Sequence, residues 1–167
     1  RKEYREQRVP MMKPFERMVL PPGIHTASTA NEKWFKYIEQ PFGESELNYW
    51  WQYGIDAKTL QRFRVKSLTR YESISNQGKF FSLVSTKEDP IFAYCLGKFV
   101  KVYRPKSKLR FLYGGEKVDD YVFGFEQLPG KGDMIFITGG EKDVLSLSAH
   151  GFNAICFNSE TAQIPGN

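Results

Sequence analysis

The stretch Met134-Ile135-Phe136-Ile137-Thr138-Gly139-Gly140-Glu141-Lys142-Asp143-Val144-Leu145-Ser146-Leu147 decides the fold of this chain. Met134–Ile137 has the length and β-branched content of a buried strand. Gly139-Gly140 lets the backbone turn where other residues resist. Glu141 and Asp143 then fall in a first helical turn, where unpaired N–H groups and the helix dipole favour negative charge. A helix from about Glu141 to Ala149 buries Val144, Leu145 and either Ser148 or Leu147, and His150-Gly151 ends it. Asn153–Asn158 (NAICFN) is a second short strand. Strand, helix and strand in this order make a unit whose two strands usually pair in parallel.

Outward from this unit, the texture of the chain changes twice. Arg1–Thr29 is charged at its start and then broken by Pro10, Pro14, Pro21 and Pro22, so it is expected as an extended arm or linker. Its abrupt start suggests a piece of a longer polypeptide. Ala30–Glu39 suits a short helix with Trp34, Phe35 and Ile38 inward, ended at Gln40-Pro41. Ser45 caps a helix through about Tyr53 with Gly54 as its stop, and Asp56 caps another over Ala57–Phe63. This pair has two readings. It is either a helix-turn-helix exposing Lys58, Gln61, Arg62 and Arg64 to a DNA groove, or a helical corner whose tryptophans fill a core.

From Arg64 onward the sequence is β-rich. Strands are expected over Val65–Tyr71, Lys79–Val84, Ile91–Leu96, Lys98–Tyr103, Leu109–Leu112 and Tyr121–Phe125. Asn76-Gln77-Gly78, Asp89-Pro90, Gly97, Pro105-Lys106-Ser107 and Gly114-Gly115 punctuate them, and such short connections imply an antiparallel sheet. The fold class is therefore α+β: small helices, a mainly antiparallel sheet, then one βαβ unit.

The 167 residues are 41% hydrophobic and 16% aromatic, enough for a substantial core. A net charge of +5 permits a polyanionic partner without requiring one. Cys95 and Cys156 sit in separate apolar runs, and with two histidines no zinc-module spacing exists. No apolar stretch is long enough to span a membrane and no signal-peptide pattern opens the chain, so a reducing cytoplasm is the expected compartment.

Two places carry candidate chemistry. Between Ile91 and Gly115 there is no acid, while Lys98, Lys101, Arg104, Lys106, Lys108 and Arg110 are interleaved with Phe99, Tyr103, Phe111 and Tyr113. On a hairpin turning at Pro105–Ser107, cations and rings together suit single-stranded nucleic acid or a nucleoside triphosphate. Equally, the rings are buried on one face and the cations solvated on the other. The second place is the Gly139–Asp143 turn. Carboxylates at a strand–helix junction are a common way to hold Mg²⁺, and acids in a first turn are also ordinary capping. A P-loop is excluded, because Lys142 is followed by Asp143 and not by Ser or Thr.

The residues Ile135–Asp143, the helix behind them, Gly151 and Ala154–Ser159 resemble the start of a toprim domain. This is the metal-binding module shared by bacterial-type primases, phage primase-helicases, topoisomerases and some nucleases. Tyr49–Leu60, Phe92-Ala93-Tyr94 and Lys101-Val102-Tyr103-Arg104-Pro105 are similar to the segment preceding toprim in phage and mobile-element primase-helicases, and the wording GGEKDVLSL to toprim-type proteins of Bacteroides-like mobile elements. The resemblance implies an arm over 1–29, a primase-type α+β subdomain over 30–128 and a partial toprim domain over 132–167. It implies RNA primer synthesis on single-stranded DNA, using ribonucleoside triphosphates and Mg²⁺ or Mn²⁺, with a replicative helicase as a further partner. Glu141 and Asp143 are the implied catalytic and metal residues. Lys98, Lys101, Tyr103, Arg104, Lys106, Lys108 and Arg110 are the implied nucleic-acid or nucleotide contacts. Gly139 stands where the family's first glutamate belongs, so Glu141 is expected to reach the metal from two residues on. The family's downstream Asp-x-Asp does not occur between Asp143 and Asn167, so the chain is expected to be inactive alone. A non-catalytic single-strand-binding accessory module and a toprim nuclease are the rival implications.

Overall fold

The computed structural model describes residues 24–27, 33–116 and 121–158. Most of the expected arm, the first residues of the helix expected from Ala30, and everything after Asn158 lie outside them. The described chain is α+β, with a mainly antiparallel sheet and few helices.

Seven strands form the large sheet: β1 (Ile24–Ala27), β2 (Phe35–Gln40), β3 (Val65–Ile74), β4 (Phe80–Val84), β5 (Ile91–Leu96), β6 (Phe99–Tyr103) and β7 (Phe111–Gly115). Their order is β1-β2-β3-β5-β6-β7, every pairing is antiparallel, and β4 pairs β3 beside this path. Two expectations fail here. The segment read as a helix is strand β2, with Phe35 and Tyr37 buried at a spacing of two. Its aromatic side chains fit the pleated surface beside β3 better than a helix face. Within the expected arm, Ile24–Ala27 pairs with β2 as β1.

β3 pairs β5 over Val65–Leu68 and β4 over Arg70–Ile74. The register of β3 against β2 shifts between the two, where Ile38 and Glu39 face Arg70 and Leu68. The sheet then curls until Gly115 at the end of β7 bridges Lys33, just before β2, through a pair of backbone hydrogen bonds of 2.9 and 3.3 Å. The curl encloses one core of Phe35, Tyr37, Leu68, Tyr71, Ile91, Ala93, Val100 and Val102. Gly114 and Gly115, read from sequence as a turn, are strand residues at this closure. A Cβ on Gly115 would lie 1.9 Å from the Lys98 carbonyl oxygen, and its φ is +83°.

The outer face of β5 and β6 carries the second core. Helices α1 (Glu44–Trp51) and α2 (Ala57–Arg62) lie on it. The cap of α1 is Gly43, whose N–H donates to the Glu46 carboxylate at 2.8 Å, while Asp56 caps α2 by accepting from the Thr59 N–H at 2.7 Å. Gly54 stops α1 with φ +71°. Trp50 is fully buried against Tyr49, Phe92 and Tyr103, whereas Trp51 faces solvent. Leu60 and Phe63 bury the inner side of α2. Arg62 donates to the Gln127 carbonyl at 2.7 Å and Arg64 pairs with Glu126, so two of the four supposed groove readers are spent on a neighbouring turn. Of the two tryptophans expected in a core, only Trp50 is there.

A second, three-stranded sheet holds β8 (Val122–Phe123), β9 (Phe136–Thr138) and β10 (Ala154–Phe157), in the order β8-β10-β9. A short 3-10 helix, Phe125–Gln127, follows β8. β9 and β10 are parallel and α3 (Glu141–Ala149) joins them, so the strand–helix–strand unit is present. Val144 and Leu145 are fully buried and Leu147 packs beside them. Their cluster is continuous with Trp50, Phe92, Tyr94 and Tyr103, so the two sheets share one core. β9 is not the buried strand expected. It lies at the edge, and Ile137 within it and Met134 and Ile135 before it are exposed. Among the described residues no helix is long and apolar enough to cross a membrane.

Candidate functional site

The two features that the sequence kept 40 residues apart face each other across one cleft. Alternation on β6 points Phe99, Lys101 and Tyr103 to the outer face. Antiparallel register sets Tyr113 opposite Lys101 and Phe111 opposite Tyr103. Rings therefore pair across the two strands, Tyr103 with Phe111 at 5.3 Å and Phe99 with Tyr113 at 6.0 Å between centroids. The Lys101 ammonium lies between the pairs, 4.7 Å from the Phe111 centroid. Of the four rings, Phe99 and Tyr103 are buried, while Phe111 and Tyr113 are about a third exposed.

On the far side stands the start of α3. The Gly140 backbone there is plainly extended, with φ −167°, so this glycine is not needed for its dihedral freedom. A Cβ at Gly140 would meet nothing within 4 Å, so the missing side chain leaves the turn open. Glu141 points inward. Its Oε1 accepts from Lys101 Nζ at 2.6 Å and from the Tyr121 hydroxyl at 2.8 Å, and both Glu141 and Lys101 are less than 5% exposed. Lys101 Nζ also reaches the Asn158 carbonyl at 3.5 Å. A charged pair this deep holds only when its members satisfy one another, since each alone is costly to desolvate. The carboxylate's field reaches further. Burial, then the Glu141 charge, pushes the Tyr121 and Tyr94 phenols and the Cys156 thiol well above their ordinary ranges.

The resulting cleft has a volume of about 320 Å³. Lys101, Arg110, Phe111 and Tyr113 line it from the hairpin, and Gly139–Asp143 from the turn, with Tyr94, Tyr103 and Asn158 between. Arg110 and Asp143 are exposed. Lys142 stacks its ammonium 3.7 Å from the centre of the Tyr53 ring.

The remaining cations lie elsewhere. Arg104 pairs with Asp89 and borders a separate, largely apolar groove with Leu109 and Leu112. Lys106 borders a third groove, beside Lys87 and Gln52. Lys98 sits in the two-residue turn between β5 and β6, and Lys108 is exposed in the loop before β7. Of the seven hairpin residues singled out by sequence, the fold thus brings Lys101, Tyr103 and Arg110 to the cleft. Tyr121, Tyr94 and Asn158 were missed. Each contributes through a contact that nothing in its local sequence signals.

The residues do not fit a divalent ion as they stand. Such an ion needs several oxygen ligands. The oxygen that Glu141 turns toward the hairpin already takes two donors, Asp143 faces solvent, and among the described residues no group of three or more potential ligands gathers. Fold and cleft together define an α+β protein with an aromatic, net-basic cleft at a helix start. No family model, curated protein or solved structure matches the chain.

Proposed function

We propose that this chain binds single-stranded nucleic acid in the cleft between the β6–β7 hairpin and the Gly139–Asp143 turn, as the template-holding part of a primase-type replication protein. The observation that carries this reading is the pair of rings, Phe111 and Tyr113, each about a third exposed, beside the exposed Arg110. Every base has a π-face that stacks on such rings, and a guanidinium neutralises the phosphate between bases. Single-stranded DNA is the proposed template. Ribonucleoside triphosphates and a replicative helicase are the partners that this role implies. Two free thiols, Cys95 and Cys156, accord with a reducing cytoplasmic setting.

Nucleotidyl transfer is the second reading, favoured by the exposed Asp143 on the same cleft as Arg110. A primer-synthesis assay on single-stranded template with nucleotides and Mg²⁺ tests it, and the expected result for this chain alone is no product.

Fluorescence anisotropy of a labelled oligo(dT) tests the binding reading. Phe111→Ala is expected to weaken binding by about 1–3 kcal/mol, the worth of one stacked base, and Arg110→Glu to weaken it as well. Both variants binding as tightly as the unaltered chain would reject the cleft as the site.

A further inference from the structure

The resemblance to toprim asks for a metal at Glu141, and a side chain of this protein stands in its way. Glu141 is 2% exposed, and its Oε1 holds the Lys101 ammonium at 2.6 Å and the Tyr121 hydroxyl at 2.8 Å. We infer that Lys101 occupies the cation's place at this turn, so that the cleft needs no divalent metal to receive a single strand.

The surroundings of Lys101 Nζ favour a cation at that one point. Three aromatic rings, Phe111, Tyr121 and Tyr113, have their centres 4.7, 5.6 and 5.9 Å away and turn π-density toward it. The Asn158 carbonyl adds an oxygen at 3.5 Å. A protonated lysine has donors and no lone pair, so it cannot join a metal's ligand set. A divalent ion on the same carboxylate oxygen would lie beside the ammonium and be repelled by it, strongly where water is excluded. Ammonium and metal are therefore alternatives. The register that sets Lys101 between Tyr94 and Tyr113 selects the ammonium.

The test uses Mn²⁺ alone as the probe, read by the loss of its free-ion electron paramagnetic resonance signal. The unaltered chain is expected to take up no ion. Lys101→Ala adds no oxygen ligand and leaves the buried Glu141 without its cation, so it is expected to take up no Mn²⁺ either and to melt at a lower temperature than the unaltered chain. Lys101→Ala with Glu141→Gln removes the unpaired charge as well and is expected to recover part of that loss; should Lys101→Ala not fold, folding of this double variant is the same result. Uptake of Mn²⁺ by the unaltered chain that Glu141→Gln abolishes would overturn the inference, as would a Lys101→Ala variant that melts as high as the unaltered chain.

One further arm rests on the binding reading proposed above. Oligo(dT) affinity is expected to be unchanged between Mg²⁺ and EDTA at matched ionic strength. A gain with Mg²⁺ that Glu141→Gln abolishes would overturn the inference. No oligonucleotide binding in either buffer would reject the binding reading and leave the Mn²⁺ results standing.

Discussion

At the scale of single residues, burial and then the charge of the Glu141 carboxylate set the behaviour of the groups around it. Tyr121 donates to it, Tyr94 and Cys156 feel its field, and burial acts on all three in the same direction, against ionisation. Tyr37 and Tyr49 are likewise held neutral, first by burial and then by the hydrogen-bonded neighbours Cys95 and Tyr103. The sign for stability follows. In the unfolded chain these phenols ionise near pH 10, and in the folded chain they ionise well above it. Their contribution is fully present below pH 10 and is lost as pH rises beyond it. In an alkaline titration followed by phenolate absorbance, Tyr37, Tyr49, Tyr94 and Tyr121 are expected to ionise only as the chain unfolds. Tyr121→Phe is expected to remove one such late phenol. A smooth titration of all nine tyrosines near pH 10, with the fold intact, would contradict this. Sequence singled out Glu141 because acids at a helix start follow a local rule. It gave no sign of Tyr121 or of the captive state of Lys101, because those depend on contacts across 20 and 40 residues.

Elements were legible where period and punctuation agreed. The helices at α1 and α2, the five strands β3–β7 and the parallel pair β9–β10 all lie close to where alternation, caps and turns put them. Two misreadings share a cause. In Trp34-Phe35-Lys36-Tyr37-Ile38, apolar residues satisfy a helical period and a strand period at once, and only the neighbouring β3 decides between them. Met134–Ile137 has the composition of a buried strand, yet burial depends on what lies on both faces, and here α3 supplies one. Gly114-Gly115 shows a second kind of error. Two glycines signal a turn, but here they permit a close approach: β7 passes within contact of Phe35 and the Lys98 carbonyl as the sheet closes. Gly115→Ala would place a side chain at φ +83° and force Cβ against that carbonyl. The dihedral alone costs about 1–3 kcal/mol, and the clash adds to it. Urea denaturation is expected to show at least that loss. Gly97→Ala, also at positive φ but with open space around it, is expected to show the dihedral cost without the clash.

For the whole molecule, a net charge of +5 says little until the cations are placed. Sequence put six of them on one hairpin, and the fold disperses them. Arg104 is spent on Asp89, Lys101 on Glu141, and Lys106 faces a different groove. At the cleft, Arg110 is exposed, and Lys142 lines it from the turn. That placement sets the size of the expected electrostatic effect. A single strand neutralised by about two cations should lose affinity with a slope of about −1.4 in log K against log salt, since each phosphate contributes about −0.7. A hairpin presenting all six cations would instead give a slope of about −4. Anisotropy titrations of oligo(dT) over a series of salt concentrations distinguish the two. Arg110→Glu is expected to flatten the slope, whereas Lys106→Glu is expected to leave it nearly unchanged. If Lys106→Glu proved as damaging as Arg110→Glu, the strand would have to run over the Lys87–Lys106 groove rather than through the cleft at Glu141.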